Sequence, residues 1–353
     1  MPAIRHTAWV RAIEWVDDPR PMIRLIDQTL LPGTEQYVDV TRVDVLVESI
    51  QDLVIRGAPA LGAAGALGVA LAMVQAGDES WDAARLETEI DRIRDARPTA
   101  VNLAWGVNQV RGSVPSGTAK VLGLARQVVT DDEAANRQLS KHGADWILAH
   151  VEKDKVRVVT HCNTGALATS AWGTAYGIIH ELHQRGRLGL VYADETRPLL
   201  QGARLTSWEL LHDGIQHVVQ TDSAAASTIL RGLVDVAIIG ADRIAANGDT
   251  ANKVGSVGLA LACQRAGIPF VVAAPSSTVD LTIARGEDIV IEERHEDEVL
   301  CAAGVRTAPA GVRGFNPAFD VTPHDLISIV VTERGVAETA TQAHPDLLAT
   351  IAG

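Results

Sequence analysis

Past residue 155 the chain is punctuated by short, largely apolar, β-branched runs: VRVVTHC (156–162), LGLVYAD (188–194), HVVQTD (217–222), VDVAIIGAD (234–242), PFVVAAP (269–275) and DIVIEE (288–293). Runs of this length and composition read as strands buried on both faces. Helix-patterned stretches at 165–184, 201–212, 224–231 and 252–266 separate most of them. Strand and helix in alternation predict a doubly wound, Rossmann-like parallel sheet, because parallel neighbours need crossover connections. The first part of the chain has another rhythm, with strand-like pieces at 23–30 and 36–40 and helical stretches starting near Val43, Pro59, Trp81 and Ala100. Capping and acidic residues at 130–133 precede a helical apolar period through Trp146, Leu148 and Val151, which predicts a long helix joining the two parts. The expected organisation is a smaller, mainly helical N-terminal domain over 1–128 and a Rossmann-like domain over 129–353, consistent with a length of 353 residues.

Charge and cysteine usage narrow the function classes. A net charge of -13 offers no surplus cation with which to neutralise nucleic-acid phosphates or an anionic membrane. The aromatic fraction of 4% supplies no stacking platform for single strands. Cys162, Cys263 and Cys301 are far apart and form no C-x-x-C pair, so no disulfide framework or structural zinc is expected, and a reducing cytoplasmic home fits. The N-terminal residues show no secretory pattern. The uncharged stretch 58–76 is mostly Ala and Gly, which suits a closely packed core helix rather than a membrane span. Two histidines at helical spacing, His180 and His183, lack a third ligand nearby, and no metal is expected.

Ligands of open parallel sheets gather outside the carboxyl ends of the strands, and here those ends are strongly polar. Cys162-Asn163-Thr164, Asp194-Glu195-Thr196-Arg197, Asp222-Ser223 and Asp242-Arg243 share one edge if the strands are parallel. No two of the 30 glycines stand two positions apart, which removes the G-x-G-x-x-G dinucleotide fingerprint. The stretch from Gly57 to Gly62 has P-loop glycine spacing, but Ala63 and Ala64 replace the lysine and hydroxyl that nucleotide hydrolysis needs.

Cys162 ends a strand before a stretch that reads as helix from Gly165, a placement in which helix amides would favour a thiolate and suit it to act as base or nucleophile. Asp242 follows a long apolar run, and a partly desolvated carboxyl there is suited to general-acid work. A capping role, or pairing with Arg243, is the plainer alternative for Asp242. Arg56, with Gly57, Ala58 and Pro59 at a predicted helix start, joins a guanidinium to free amides, a candidate phosphate seat that Arg97 and Lys253 would complete.

Six segments together resemble the methylthioribose-1-phosphate isomerase family: RGAPALG at 56, ARPTAVNLAWG at 96, THCNTGALAT at 160, ETRPLLQGARLTSWEL at 195, GADRIAANGDTANKVGS at 240 and NPAFDVTPHDLI at 316. The resemblance spans about residues 20–335. Its superfamily also holds ribose-1,5-bisphosphate isomerase and the regulatory subunits of the translation-initiation exchange factor, and the latter generally lack the Cys and Asp pair that stands here as Cys162 and Asp242.

The resemblance implies an aldose-to-ketose isomerisation in methionine salvage, converting 5-methylthioribose 1-phosphate to 5-methylthioribulose 1-phosphate without an added cofactor. Another pentose 1-phosphate, such as ribose 1,5-bisphosphate, or a non-catalytic sugar-phosphate or nucleotide sensor, is the alternative. Phosphate on the anomeric carbon blocks opening to a free aldehyde, so the ring oxygen must be protonated as it leaves. By resemblance Asp242 supplies that proton, and Cys162 acts on the neighbouring carbon, as base in an enolate route or as stabilising partner in a hydride shift. Arg56, the Gly57 and Ala58 amides, Arg97 and Lys253 then hold the phosphate, Gln201 and Asn252 position sugar hydroxyls, and the family's homodimeric state is expected, with a small sugar phosphate as partner and no nucleic acid or membrane.

Overall fold

The computed structural model describes residues 10–98, 101–302, 304–339 and 348–352. Two compact units divide the chain, one formed by Met1–Ala135 with Thr164–Gly173, the other by Asn136–Asn163 with Thr174–Gly353.

In the first unit β1 (Ile13–Val16), β2 (Met22–Ile26) and β3 (Tyr37–Val40) form an antiparallel sheet. Helices α1 (Val43–Gln51), α2 (Ala58–Glu79), α3 (Ala83–Arg94) and α4 (Val101–Arg111) follow. The stretch without charge lies in α2, which is apolar and long enough to cross a membrane but is mostly buried within its own unit, as a core helix. Its small residues let α4 approach closely: a Cβ on Gly106 would lie 1.9 Å from the Gly62 carbonyl oxygen, and one on Gly65 would lie 2.4 Å from that of Leu103. Thr164–Gly173 is stitched to the same unit. The Gln28 amide donates to the Leu167 carbonyl at 2.7 Å, and the Ser170 N–H donates to Asp132 at 2.7 Å.

Helix α5 (Thr118–His150) carries the chain into the second unit. It starts 12 residues before the expected Thr130, whose hydroxyl instead bonds back to the Arg126 carbonyl, while Asp132 caps Ser170. Residues that resemble an N-cap in sequence are thus spent inside the helix and on a distant backbone.

Seven strands make the main sheet: β4 (Val156–Thr160), β5 (Leu188–Asp194), β6 (His217–Gln220), β7 (Val236–Ile239), β10 (Phe270–Ala273), β15 (Ile329–Thr332) and β16 (Gly335–Glu338), in the order β16-β15-β10-β7-β4-β5-β6. All pairs are parallel except β15 with β16. Alternate residues feed two cores. Val156, Val158, Val236, Ile238 and Val271 pack with α6 (Ala175–Gln184) and α7 (Ser207–His212). Val159, Ala237, Ile239, Phe270 and Val272 pack on the other face with α8 (Ala225–Leu230) and α9 (Ser256–Ala266). This is the doubly wound arrangement expected from the alternation.

A four-stranded sheet, β11-β8-β9-β14, stands beside it: β8 (Arg243–Ala245), β9 (Thr250–Lys253), β11 (Val279–Asp280) and β14 (Phe319–Thr322). A short helix α10 (Asp297–Leu300) and the ribbon of β12 (Cys301–Ala302) and β13 (Val305–Arg306) lie between β11 and β14 in sequence.

Several local readings change. The 165–184 stretch is helical only from Ala175; before it come a 3-10 turn at Ala166–Ala168 and positive φ at Trp172 and Gly173, with Gly173 packed on Gly165 too closely for a side chain. Residue 252 lies in β9, and the helix waits for Gly255 at φ +111. The 288–293 run forms no strand, only an isolated bridge from Glu293 to Pro317, and Val290 faces solvent. Finally, β15 and β16 carry a strand pair that the pattern of runs did not include.

Gly106→Ala tests the α2 and α4 contact. At an ordinary helix position the change gains about 1 kcal/mol; here the added methyl meets backbone, and a loss of about 1–3 kcal/mol in urea-unfolding free energy is expected.

Candidate functional site

Strand order places the key residues. From β4 the chain winds to one side through β5 and β6, then returns to build β7, β10 and β15 on the other. The reversal lies between β4 and β7, which pair directly through Val158 with Val236 and Val159 with Ala237. Cys162 leaves the carboxyl end of β4 and Asp242 that of β7, so thiol and carboxyl stand at the topological switch point, the usual ligand crevice of such sheets.

Cys162 is buried and its backbone is left-handed, with φ +64. A non-glycine residue holds that conformation only where its surroundings over-determine it. The Cys162 N–H donates to Thr196 Oγ1 at 2.8 Å, and its carbonyl accepts from Thr206 Oγ1 at 2.6 Å. Thr196, also at φ +64, is held in turn: its N–H donates to Asp222 at 2.7 Å and its hydroxyl to the Asp194 carbonyl at 3.0 Å. The next residue, Asn163, donates to the buried Glu209 at 2.5 Å. Rigid positioning of the thiol therefore comes from neighbouring strand ends. The expected helix from Gly165 is absent, so a helix dipole directly after Cys162 is not the source of its placement.

Asp242 is half-buried, and its N–H donates to the Ala251 carbonyl at 2.9 Å, which ties it to β9. Arg243 turns its guanidinium to Asp280. From β9 come Asn252, whose amide donates to Ser256 Oγ at 2.9 Å, and the buried Lys253, whose Nζ donates to the Ala318 carbonyl at 2.7 Å and lies 4.4 Å from the Phe319 ring centroid. Gln201 is 4% exposed, and its Oε1 has no hydrogen-bond partner among the described residues. A buried acceptor left unsatisfied is costly unless a ligand completes it. Gly202 beside it presses on the Asp194 backbone, where a Cβ would lie 1.7 Å from the carbonyl oxygen. The second unit thus brings Cys162, Asp242, Asn252, Lys253 and Gln201 to the strand ends and the small sheet.

The first unit holds the other expected residues. Gly57, at φ +97, caps α2, with Ala58 the first helical residue and Pro59 in the first turn. The open amides and dipole of a 22-residue helix start therefore follow Arg56, whose Nε donates to Gln28 at 3.3 Å. A Cβ on Gly57 would sit 2.3 Å from the Ala168 carbonyl oxygen, so only glycine fits. Arg97 is half-buried in the turn between α3 and α4.

The remaining cysteines are structural in setting. Burial pushes the Cys263 thiol up to about 12, which keeps it protonated and inert. Cys301 lies half-buried in β12. Of the two histidines at helical spacing, His180 is buried, with Nδ1 3.3 Å from Asp213, and His183 is exposed. Thr196 is marked in the sequence only as part of a polar strand end, and Thr206 and Glu209 are not marked at all, although all three lie in the ETRPLLQGARLTSWEL segment, whose run of hydroxyl and carboxyl groups among apolar residues was the available signal.

Residues 54–339 match the initiation factor 2 subunit family. Among curated relatives, a probable bifunctional methylthioribose-1-phosphate isomerase/methylthioribulose-1-phosphate dehydratase of Nocardia farcinica is 49% identical over 91% of this chain, and the chain spans 58% of that protein's length. A methylthioribose-1-phosphate isomerase of Anaeromyxobacter dehalogenans is 47% identical over 95% of this chain and 96% of its own. Among solved structures, 5-methylthioribose 1-phosphate isomerase from Pyrococcus horikoshii superposes with a TM-score of 0.86 at 36% identity, covering 97% of this chain and 95% of that one. Translation initiation factor eIF-2B, subunit delta, from A. fulgidus gives 0.84 at 37% identity, covering 96% and 99%.

Thr196→Val keeps the side-chain shape but strands the Cys162 N–H. Unfolding free energy should fall by about 1–3 kcal/mol, read from the urea midpoint, and turnover should fall with it.

Proposed function

The chain belongs to the initiation factor 2 subunit family and to the methylthioribose-1-phosphate isomerases within it, and from that premise we propose that it converts 5-methylthioribose 1-phosphate to 5-methylthioribulose 1-phosphate through Cys162 and Asp242. The reaction is an aldose-to-ketose isomerisation of methionine salvage. The observation that carries the assignment of residues is the placement of these two side chains after adjacent parallel strands at the switch point.

The chemistry follows from the substrate. Breaking the bond between the anomeric carbon and the ring oxygen requires a proton on that oxygen, and Asp242 supplies it. Hydrogen then moves from C2 to C1 while the C2 hydroxyl gives up its proton to become the ketone, and Cys162 attends that carbon. No electron is gained or lost overall, so no redox cofactor enters the balance. Water must be kept away while charge develops on carbon, and His161, Cys162 and Asn163, all buried, give the thiol that dry setting.

Phosphate is assigned to Arg56, the Gly57 and Ala58 amides, Arg97 and Lys253. Sugar hydroxyls are assigned to Gln201, whose unsatisfied Oε1 supports the role, and to Asn252. In this division the N-terminal domain, expected over residues 1–128, supplies phosphate-binding loops, and residues 129–353 supply the catalytic pair. The protein works as a homodimer in a reducing cytoplasm, a reading supported by family likeness and by three free cysteines.

Phosphorus NMR of the purified protein with 5-methylthioribose 1-phosphate should show conversion without added metal or cofactor, and little conversion of ribose 1,5-bisphosphate. Turnover of the second substrate alone would move the enzyme to another pentose pathway; turnover of neither would overturn the catalytic reading. Cys162→Ser and Asp242→Asn should each lower kcat by about 10²–10⁴-fold with the fold intact. Arg56→Ala should act mainly on KM, since a phosphate held equally in ground and transition states contributes uniform binding.

A further inference from the structure

The residue before the thiol has a histidine side chain that the proposed chemistry does not use. His161 is 1% exposed. Its Nδ1 lies 3.0 Å from Asp194 Oδ2 at the end of β5, and its Nε2 lies 2.8 Å from the Val254 carbonyl, which directly follows Lys253. Asp194 is itself buried and anchored by the Gln220 amide at 2.8 Å. On the Val254 side the ring packs against Gly255 so closely that a Cβ there would lie 2.8 Å from the imidazole, and the Gly255 N–H donates to Asp320 at 2.7 Å.

We propose that His161 is a positioning residue of the isomerisation, donating from both ring nitrogens so that the Cys162 end of β4 is fixed against the strand that bears Asn252 and Lys253. The inference rests on the roles proposed above for those three residues. A carbonyl only accepts, so Nε2 must carry hydrogen; a carboxylate facing Nδ1 asks for hydrogen there too. Charged groups that act on the ring include Asp194 on β5, Asp222 after β6 and Asp320 on β14, each of them acidic. Burial alone would discharge the imidazole, but Asp194 foremost, with Asp222 and the Val254 carbonyl, reverses that and raises its pKa above the ordinary value.

The same atoms dispose of a metal reading. Donor atoms of His161, Asp194 and Asp222 lie within 4.8 Å of one another. Yet a ring that donates from both nitrogens has no lone pair to offer, and the Asp222 oxygens already accept the Thr196 and Arg197 N–H groups, each at 2.7 Å.

Two variants separate the halves of the device. The shorter His161→Asn can reach toward Asp194 only, and the longer His161→Gln toward Val254 only. Each should lower kcat by about 10²-fold, the scale of a small misplacement of reacting groups, while KM for 5-methylthioribose 1-phosphate changes little and the protein stays folded. Asp194→Asn, which leaves the ring in place, should do the same and covers the case in which the His161 variants fail to fold. Independently of activity, NMR of isotope-labelled histidine rings in the full-length protein at about pH 7.5, above the ordinary histidine pKa, should show a doubly protonated imidazole that vanishes in His161→Gln and becomes neutral in Asp194→Asn. A neutral His161 ring in the unsubstituted protein would overturn the double donation. Folded variants with unchanged kcat, or a loss confined to KM, would overturn the positioning role. Absence of turnover in the unsubstituted protein would instead count against the proposed substrate and leave the ring measurement to decide the geometry.

Discussion

The reversal of strand order between β4 and β7 is the constraint on which the rest depends. Parallel strands present all their carboxyl ends at one edge, and only at a reversal do the crossover helices leave in opposite directions and open a crevice. Here both flanking strands are apolar on both faces, with Val156, Val158 and Val236 in one core and Val159, Ala237 and Ile239 in the other. The polar groups of Cys162 and Asp242 therefore appear where apolar burial ends. A site placed there inherits the rigidity of the two central strands.

Rigidity at that edge has a cost that the surrounding hydrogen bonds offset. Cys162 and Thr196 both adopt left-handed backbone, a sparsely populated region for side-chain-bearing residues. Thr196 bonds to Cys162, Asp222 bonds to Thr196, and the buried His161 and Asp194 lie alongside. Each link joins the ends of different strands, so the thiol is located by the sheet as a whole rather than by its own segment. Such strain collects where geometry matters for chemistry.

The six motif segments lay open in the sequence, and so did the alternation that sets the fold class, because both are properties of residues in order. Cys162, Asp242, Asn252 and Lys253 were all legible as candidates from their place after apolar runs or in the matching motifs. Their setting was not. The stretch from Gly165 carries a helical pattern, yet Gly173 packed on Gly165 and the bonds from Gln28 and to Asp132 hold Thr164–Gly173 in the first unit. Tertiary contacts there outweigh a propensity difference of under about 1 kcal/mol per residue. The 288–293 run has strand composition, but nothing local states whether a neighbouring strand exists to pair with it.

What the sequence by itself determined was the alternation of buried strands and helices, the polar strand ends and the likeness to a family of sugar-phosphate isomerases, since period, composition and motif are local. Only the tertiary structure decided that β4 and β7 are neighbours, that Thr196 accepts from the Cys162 N–H, that the His161 ring bonds Asp194 and Val254, and that Gln201 keeps an acceptor unsatisfied among the described residues. Those facts depend on which strand ends meet across more than thirty residues of intervening chain, as the separation of 34 between Cys162 and Thr196 shows. No local pattern encodes such a meeting; it is settled by the packing of both faces of one sheet.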